Sequence, residues 1–465
     1  MGDRYMKYYL AIDIGASSGR HILGWLEDGK MMTEEIYRFE NRPKRRDTAD
    51  GAHSLTWDTE SLFSEILNGL RRAGELGKIP ESVGIDTWGV DYALLDGDGK
   101  LIDEVFCYRD SRTDKTIPEV HKILPFEKLY SKTGIGFATF NTVYQLFDDK
   151  ISGKMDKAAA FMNLPDYFHY RLTGNIVHEY TNSTTTGMVN SETREWDTEI
   201  IEALGYKKEL FGKLSQPGTT VGEFTDAVAK AVGYKTRVVL PATHDTASAV
   251  IAAPLEKETP YISSGTWSLL GVEQSFAHTD AAARVSDYSN EGNVDRKFRL
   301  QKNIMGLWMI QQVRHELDDK YSFGELVDMA KASPIPDRVN VNEGRFMAPK
   351  SMIDEINSAV GRTLSVGEMA YYIYNNLAES YKESLEALEA LTGEKYDTLN
   401  IIGGGSKNAF LNELTKEKTG KRIVTGPAEG TAIGNLSMQM IAEGELSDVR
   451  DARAVIKASF DINEV

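Results

Sequence analysis

The sequence predicts an α/β architecture built as two related halves, and three observations lead there. Apolar runs of strand length alternate with stretches of helical periodicity along the whole chain. The length of 465 residues, at about 150 residues per domain, makes two or three domains. Lastly, Leu10-Ala-Ile-Asp-Ile-Gly-Ala-Ser-Ser-Gly-Arg20 is echoed by Tyr261-Ile-Ser-Ser-Gly-Thr-Trp-Ser-Leu-Leu-Gly271. Each is an apolar strand, a tight turn of small residues and a return strand, as expected of two halves that each offer a ligand the same turn.

Taken in order, Tyr8 to Ile14 is a compact apolar run stopped by Gly15, and His21 to Leu26 resumes it, which predicts a hairpin. Asp58 to Leu76 carries Leu62, Phe63, Ile66, Leu67 and Leu70 at helical spacing. Val83 to Leu95 reads as a strand, a break at Trp88-Gly89 and a second strand ending at Asp96-Gly97. No low-complexity linker divides the chain; the boundary is set at Pro241 to Thr246, giving halves of residues 1–243 and 244–465. Ala247 to Ala252 reads helical. Ser365 and Glu368 have capping-box spacing, Ile373, Leu377, Tyr381, Leu385 and Leu388 follow on one face, and Gly393 stops the helix. Ile401-Ile-Gly-Gly-Gly-Ser-Lys-Asn408 is a strand and a glycine-rich turn before a helical Asn408 to Thr419.

Composition excludes several classes. With 53 Lys and Arg against 70 Asp and Glu, the net charge of −17 is wrong for a protein that coats a phosphate backbone. Hydrophobic residues at 41% and charged residues at 26% suit a folded globular chain. Cys107 has no partner for an intrachain disulfide, which suits a reducing compartment. The run from Met1 to Lys7 makes neither a signal peptide nor a spanning helix, and Met6 stands where a myristoylation signal wants Ser or Thr. The expectation is a cytoplasmic protein without nucleic-acid or membrane partners, a monomer or homodimer.

Common nucleotide signatures are absent: no Gly-x-x-x-x-Gly-Lys-[Ser/Thr], no Gly-x-Gly-x-x-Gly after a strand, no His-Arg-Asp loop, and no zinc-ligand spacing. Other segments can hold a phosphate. In Asp13-Ile-Gly-Ala-Ser-Ser-Gly-Arg20, Gly15 and Gly19 admit close backbone approach, Ser17 and Ser18 add hydroxyls, and Arg20 can reach an anion. Asp13 can hold Mg²⁺ through water, though an ordinary hairpin with a turn aspartate reads equally well. Ser263 to Ser268 repeats the chemistry, and the three glycines at 403–405 let backbone lie flat against a planar ligand such as adenosine. Asp245, in His244-Asp-Thr246, suits a general base for a sugar hydroxyl or, as plausibly, a helix N-cap. Trp88 can stack on a sugar or fill a core, and Asn303 and Gln311 stand beside an apolar helix.

Together these segments resemble the FGGY carbohydrate kinases, in order and over essentially the whole chain. The match comprises Ala11–Arg20, Gly84–Tyr92, Tyr108–Arg112, His244–Ala249, Ser263–Leu269, Asn303–Trp308, Gly403–Asn408 and Gly426–Asn435. Within the family, Asp86-Thr-Trp-Gly-Val-Asp91 and His244-Asp-Thr-Ala-Ser248 point to members acting on L-rhamnulose rather than xylulose or glycerol kinases. The resemblance implies an actin-like ATPase fold, two ribonuclease-H-like domains about a central cleft. It implies transfer of the ATP γ-phosphoryl group to the 1-hydroxyl of L-rhamnulose. Carried over by motif, Asp245 would be the base, with Gly89, His244, Thr246 and Asn303 also at the sugar. Ala16, Ser17, Ser18, Gly19, Arg20, Thr266, Gln311 and Gly404 would hold ATP, with the choice among Gly403, Gly404 and Gly405 left open, and Asp13 would position Mg²⁺. The competing readings are the same chemistry on L-fuculose or D-xylulose, a non-catalytic actin-like scaffold, and a sugar-sensing repressor. No basic N-terminal helix-turn-helix supports the last.

Overall fold

The computed structural model describes residues 6–47, 53–256 and 258–465; the reading made on Met1 to Tyr5 lies outside them. The described chain forms two compact units. The first comprises residues 1–252, 274–300 and 430–459, the second 253–273, 301–429 and 460–465.

The first unit is built on a six-stranded sheet. Its order is Thr220–Glu223, Arg237–Val239, Pro80–Thr87, β1 (Tyr8–Ile14), β2 (Ser18–Glu27) and β3 (Lys30–Glu40). β1 pairs antiparallel with β2 and parallel with Pro80–Thr87, so Asp13 faces Arg20 on one side and Asp86 on the other. This central strand is covered on both faces, which is why its sequence reads as an unbroken apolar run rather than an alternating one. On one face lies helix α1 (Thr59–Glu75), capped by Asp58 and seated through Leu62, Ile66 and Leu70 in a core with Leu10, Ile12, Val83 and Ile85. Each fully buried Leu or Ile contributes roughly 1.5–3 kcal/mol. A second helix, Gly430–Ala442, is tied to the same strands by side-chain amides. Gln439 Nε2 donates to Leu10 O at 3.0 Å, and Asn435 Nδ2 donates to Gly84 O at 3.1 Å.

The two strands read over Val83 to Leu95 form on either side of the break. Pro80–Thr87 stays in the main sheet, while Tyr92–Leu95 pairs with Ala160–Asn163 in a ladder of its own. Between them Val90 is held at φ 69°, a left-handed conformation costly for a β-branched residue. Cys107 is buried nearby, and burial pushes its thiol up to about 12.

In the second unit the strands Trp267–Gln274, Tyr261–Ser264, Thr398–Ile402, Arg422–Thr425 and Asn463–Glu464 lie side by side in that order. The sequence echo is a structural one. Tyr261–Ser264, like β1, pairs antiparallel with the strand that follows its turn and parallel with a much later strand, here Thr398–Ile402. Helix Val366–Thr392 begins in a complete capping box between Ser365 and Glu368, and it ends at Gly393 with φ 72°. Its Tyr381 hydroxyl reaches Ser268 Oγ at 2.7 Å across the core. Among the described residues, no helix is long and apolar enough to cross a membrane.

Candidate active site

Three carboxylates gather at the strand ends of the first unit. Asp13 closes β1 and receives Arg20 Nη2 at 2.6 Å, the partner that the hairpin register places opposite it. Asp86, one strand over, is fully buried and accepts from Asn435 Nδ2 at 2.6 Å. Burial pushes the Asp86 carboxyl well above its ordinary range, repulsion from Asp13 and Asp245 raises it further, and the Asn435 hydrogen bond and Arg20 oppose the rise. Asp86 Oδ1 is buried and has no hydrogen-bond partner among the described residues.

Asp245 arrives from the segment after Arg237–Val239. The backbone there still follows the sheet: Thr87 N donates to Thr243 O at 3.0 Å and Thr87 bridges His244 in parallel. Asp245 then opens the helix Asp245–Ala252. Its Oδ1 accepts from Thr246 N at 2.5 Å and Thr246 Oγ1 at 3.1 Å. The deeper amides Ala247 N and Ser248 N go instead to His244 O, at 2.8 and 3.1 Å. Asp245 therefore makes no side-chain cap to the amides of Ala247 or Ser248, and none of these bonds falls on its Oδ2. His244 is held behind it by buried Thr181 and Arg299.

The turn after β1 closes with Gly15 N donating to Ser18 O at 2.9 Å. From behind, Asn41 donates N to Ser17 O at 3.0 Å and Nδ2 to Gly15 O at 2.9 Å. Among the described residues nothing accepts from the amides of Ala16 and Ser17, the property an anion-binding turn requires. Ser17 is exposed and Ser18 half-buried. Gly19 is buried, and a Cβ there would fall 2.0 Å from the Phe39 ring, so this glycine serves packing against β3. Arg20 is committed to Asp13.

Gly89 lies in the strained break, where a Cβ would approach Thr185 Oγ1 to 2.8 Å. The break is anchored by Asp91, whose Oδ2 accepts from Trp57 Nε1 at 2.7 Å, Trp88 Nε1 at 2.8 Å and Tyr108 N at 3.1 Å. Burial lifts the Asp91 carboxyl to about 6, against the pull of those donors. Trp88 is buried and sits 4.3 Å from Trp57, ring centre to ring centre, so its indole is fastened inside the unit.

The remaining predicted residues belong to the second unit. Thr266, exposed at its hairpin turn, donates Oγ1 to Gln311 Oε1 at 3.3 Å. That pair is assembled by Leu307 N and Trp308 N, which donate to Gly265 O and Thr266 O at 2.9 and 3.1 Å. Asn303 is exposed on the strand Phe298–Met305, not beside a helix as its neighbours suggest. Of the three glycines, Gly403 and Gly405 press on Ser264, while Gly404 is exposed and a Cβ there would meet nothing within 4 Å.

Sequence reasoning assigned no role to Asn435, Glu291 or Arg299, and none to the Asp86 carboxylate. Asn435 and Asp86 stand inside the quoted motifs. Arg299, a lone cation in the strand run Phe298-Arg-Leu-Gln301, was the one available signal for the third position.

Comparison with known proteins supplies the remaining facts. The profile of the FGGY family of carbohydrate kinases, N-terminal domain, matches residues 8–252, and that of the C-terminal domain matches residues 260–443. The chain is 44% identical to a rhamnulokinase of Halalkalibacterium halodurans, over 98% of both chains. It is 43% identical to a rhamnulokinase of Bacillus subtilis, over 98% of this chain and 94% of that one. Solved structures of similar fold include a gluconate kinase from Lactobacillus acidophilus, with TM-score 0.79 and 18% identity over 98% of this chain and 93% of that chain. A Plasmodium falciparum glycerol kinase with ADP gives TM-score 0.76 and 14% identity over 98% of this chain and 94% of that one.

Proposed function

The chain belongs to the FGGY family of carbohydrate kinases, and from that premise we propose that it phosphorylates L-rhamnulose at the 1-hydroxyl, using ATP and releasing ADP. Relatives named rhamnulokinase, matched from end to end at 39–44% identity, support the acceptor. Asp245 carries the mechanism: Thr246 fastens its Oδ1, and its Oδ2 is left to take the hydroxyl proton as that oxygen attacks the γ-phosphorus. Gly89, His244, Thr246 and Asn303 contact the sugar in this reading.

The nucleotide would meet the free amides of Ala16 and Ser17, the hydroxyl of Ser18, and the backbone at Gly19 and Arg20. Thr266, Gln311 and the open face of Gly404 would receive the rest of it. Mg²⁺, when bound, neutralises phosphate charge. Among the described residues no three acidic, His or Cys side chains form a direct metal shell, so Asp13 suits a cation that keeps its waters. Asp86 Oδ1 beside it, without a hydrogen-bond partner among the described residues, fits such a hydrated ion.

The test combines purified protein, MgATP and a panel of ketoses, following ADP and the position of the phosphate. L-Rhamnulose should give the highest kcat/KM and a 1-phosphate. ADP release indifferent to sugar, or none with any ketose, would overturn the assignment. Asp245→Asn should bind nucleotide normally and lose turnover by roughly a hundredfold or more, the usual cost of removing a general base. Unchanged turnover would return Asp245 to a structural role.

A further inference from the structure

Two charged residues reach His244 from the segment Glu291–Leu300 of its own unit. Arg299 is 0% exposed, and its Nε donates to Gly292 O at 3.2 Å. Its Nη2 lies 3.0 Å from His244 Nδ1 and 3.1 Å from Glu291 Oε2. Glu291 Oε2 is itself 3.2 Å from Nδ1, so this nitrogen faces both a carboxylate and a guanidinium, and the shorter contact is the guanidinium's. On the other edge of the ring, Nε2 stands 3.5 Å from Asp245 Oδ1.

A guanidinium offers only donors and stays charged at every pH a protein survives. The ring nitrogen that receives its N–H must present a lone pair, which leaves the single proton of a neutral imidazole on the other nitrogen. Resting on the reading of Asp245 as the base, we propose that Arg299 is a positioning residue that holds His244 as the neutral Nε2–H tautomer, with its donor aimed at Asp245 Oδ1.

Glu291 then balances the buried cation rather than drawing the ring proton to itself. The arrangement fastens Oδ1 from two sides, by Thr246 and by His244, and reserves Oδ2 for the substrate proton. The 3.5 Å gap is looser than a made hydrogen bond, as such contacts are before substrate binds.

Nitrogen-15 labelling of the histidines reads the tautomer on resting protein, with His244 assigned by the resonances lost in His244→Gln. The expected spectrum shows a bare Nδ1 and a protonated Nε2 at neutral pH. A protonated Nδ1 overturns the proposal, and this measurement needs no variant of Arg299 to fold. Arg299→Met should move the proton to Nδ1 and lower kcat roughly tenfold, with the KM for ATP within about twofold, as expected for lost orientation of one group. Arg299→Lys, which keeps a donor, should restore the Nε2–H signal and most of kcat. A shifted tautomer with unchanged kcat would overturn the positioning role. The two readings fail separately: a protonated Nδ1 with an inactive Asp245→Asn removes this inference alone, while an active Asp245→Asn removes the base.

Discussion

At residues 403–405 three identical side chains stand in three different surroundings. A Cβ on Gly403 would fall 2.8 Å from Ser264 O, at a φ of 80° that favours glycine, and one on Gly405 would fall 2.0 Å from Ser264 Oγ. A Cβ on Gly404 would stand in open space. Gly405→Ala should therefore lower the unfolding midpoint, by an amount matching about 1–3 kcal/mol of overpacking. Gly404→Ala should leave stability within about 0.5 kcal/mol and raise the KM for ATP several-fold, because the methyl group occupies only the ligand's side. Thermal unfolding and ATP kinetics on both variants check this, and equal behaviour of the pair would refute it. The sequence locates this glycine cluster but leaves the choice among the three open, because the direction in which each Cβ points depends on strand pairing with a segment about 140 residues earlier. The same limit applies at Arg299, whose partner His244 is 55 residues away.

The break between Pro80–Thr87 and Tyr92–Leu95 shows what an element owes to distant residues. Its position is legible from Trp88-Gly89 alone. Its cause is not, since one of the three donors to Asp91 Oδ2 is Trp57, 34 residues earlier. That cage has a measurable pH signature. Asp91 titrates near 6 in the folded protein, above its ordinary value of 3.8. The folded state thus holds this proton more tightly, so the stabilisation is complete below about pH 4 and is lost as pH rises through about 6. The change amounts to about 3 kcal/mol at most. Asp91→Asn should flatten that part of the curve, seen as a smaller difference between denaturant midpoints at about pH 4.5 and about pH 7. An unaltered difference would mean that Asp91 is ionised throughout. Helices are the more legible elements here: the capping box at Ser365 and the stop at Gly393 are local signals, and both form as read.

For the whole molecule, the net charge of −17 sets the way it must treat an anionic substrate. Local amides and a hydrated cation, not a broad basic field, would neutralise the phosphates, and such short-range contacts are weakly screened. ATP affinity should change by less than about threefold between about 50 and 200 mM NaCl, yet fall by more than about tenfold when Mg²⁺ is chelated. Titration calorimetry under the two regimes decides the matter; a steep salt dependence would refute it. Residues 274–300 and 430–459 group in space with residues 1–252, a return that no local signal marks. β1 exchanges a hydrogen bond with Gln439, 429 residues further along. At a synthesis rate of about 5–20 residues per second, that partner leaves the ribosome roughly 20 to 90 seconds after the strand does. The first unit is therefore completed only once Gln439 has emerged, and the newborn chain carries one apolar face uncovered until then.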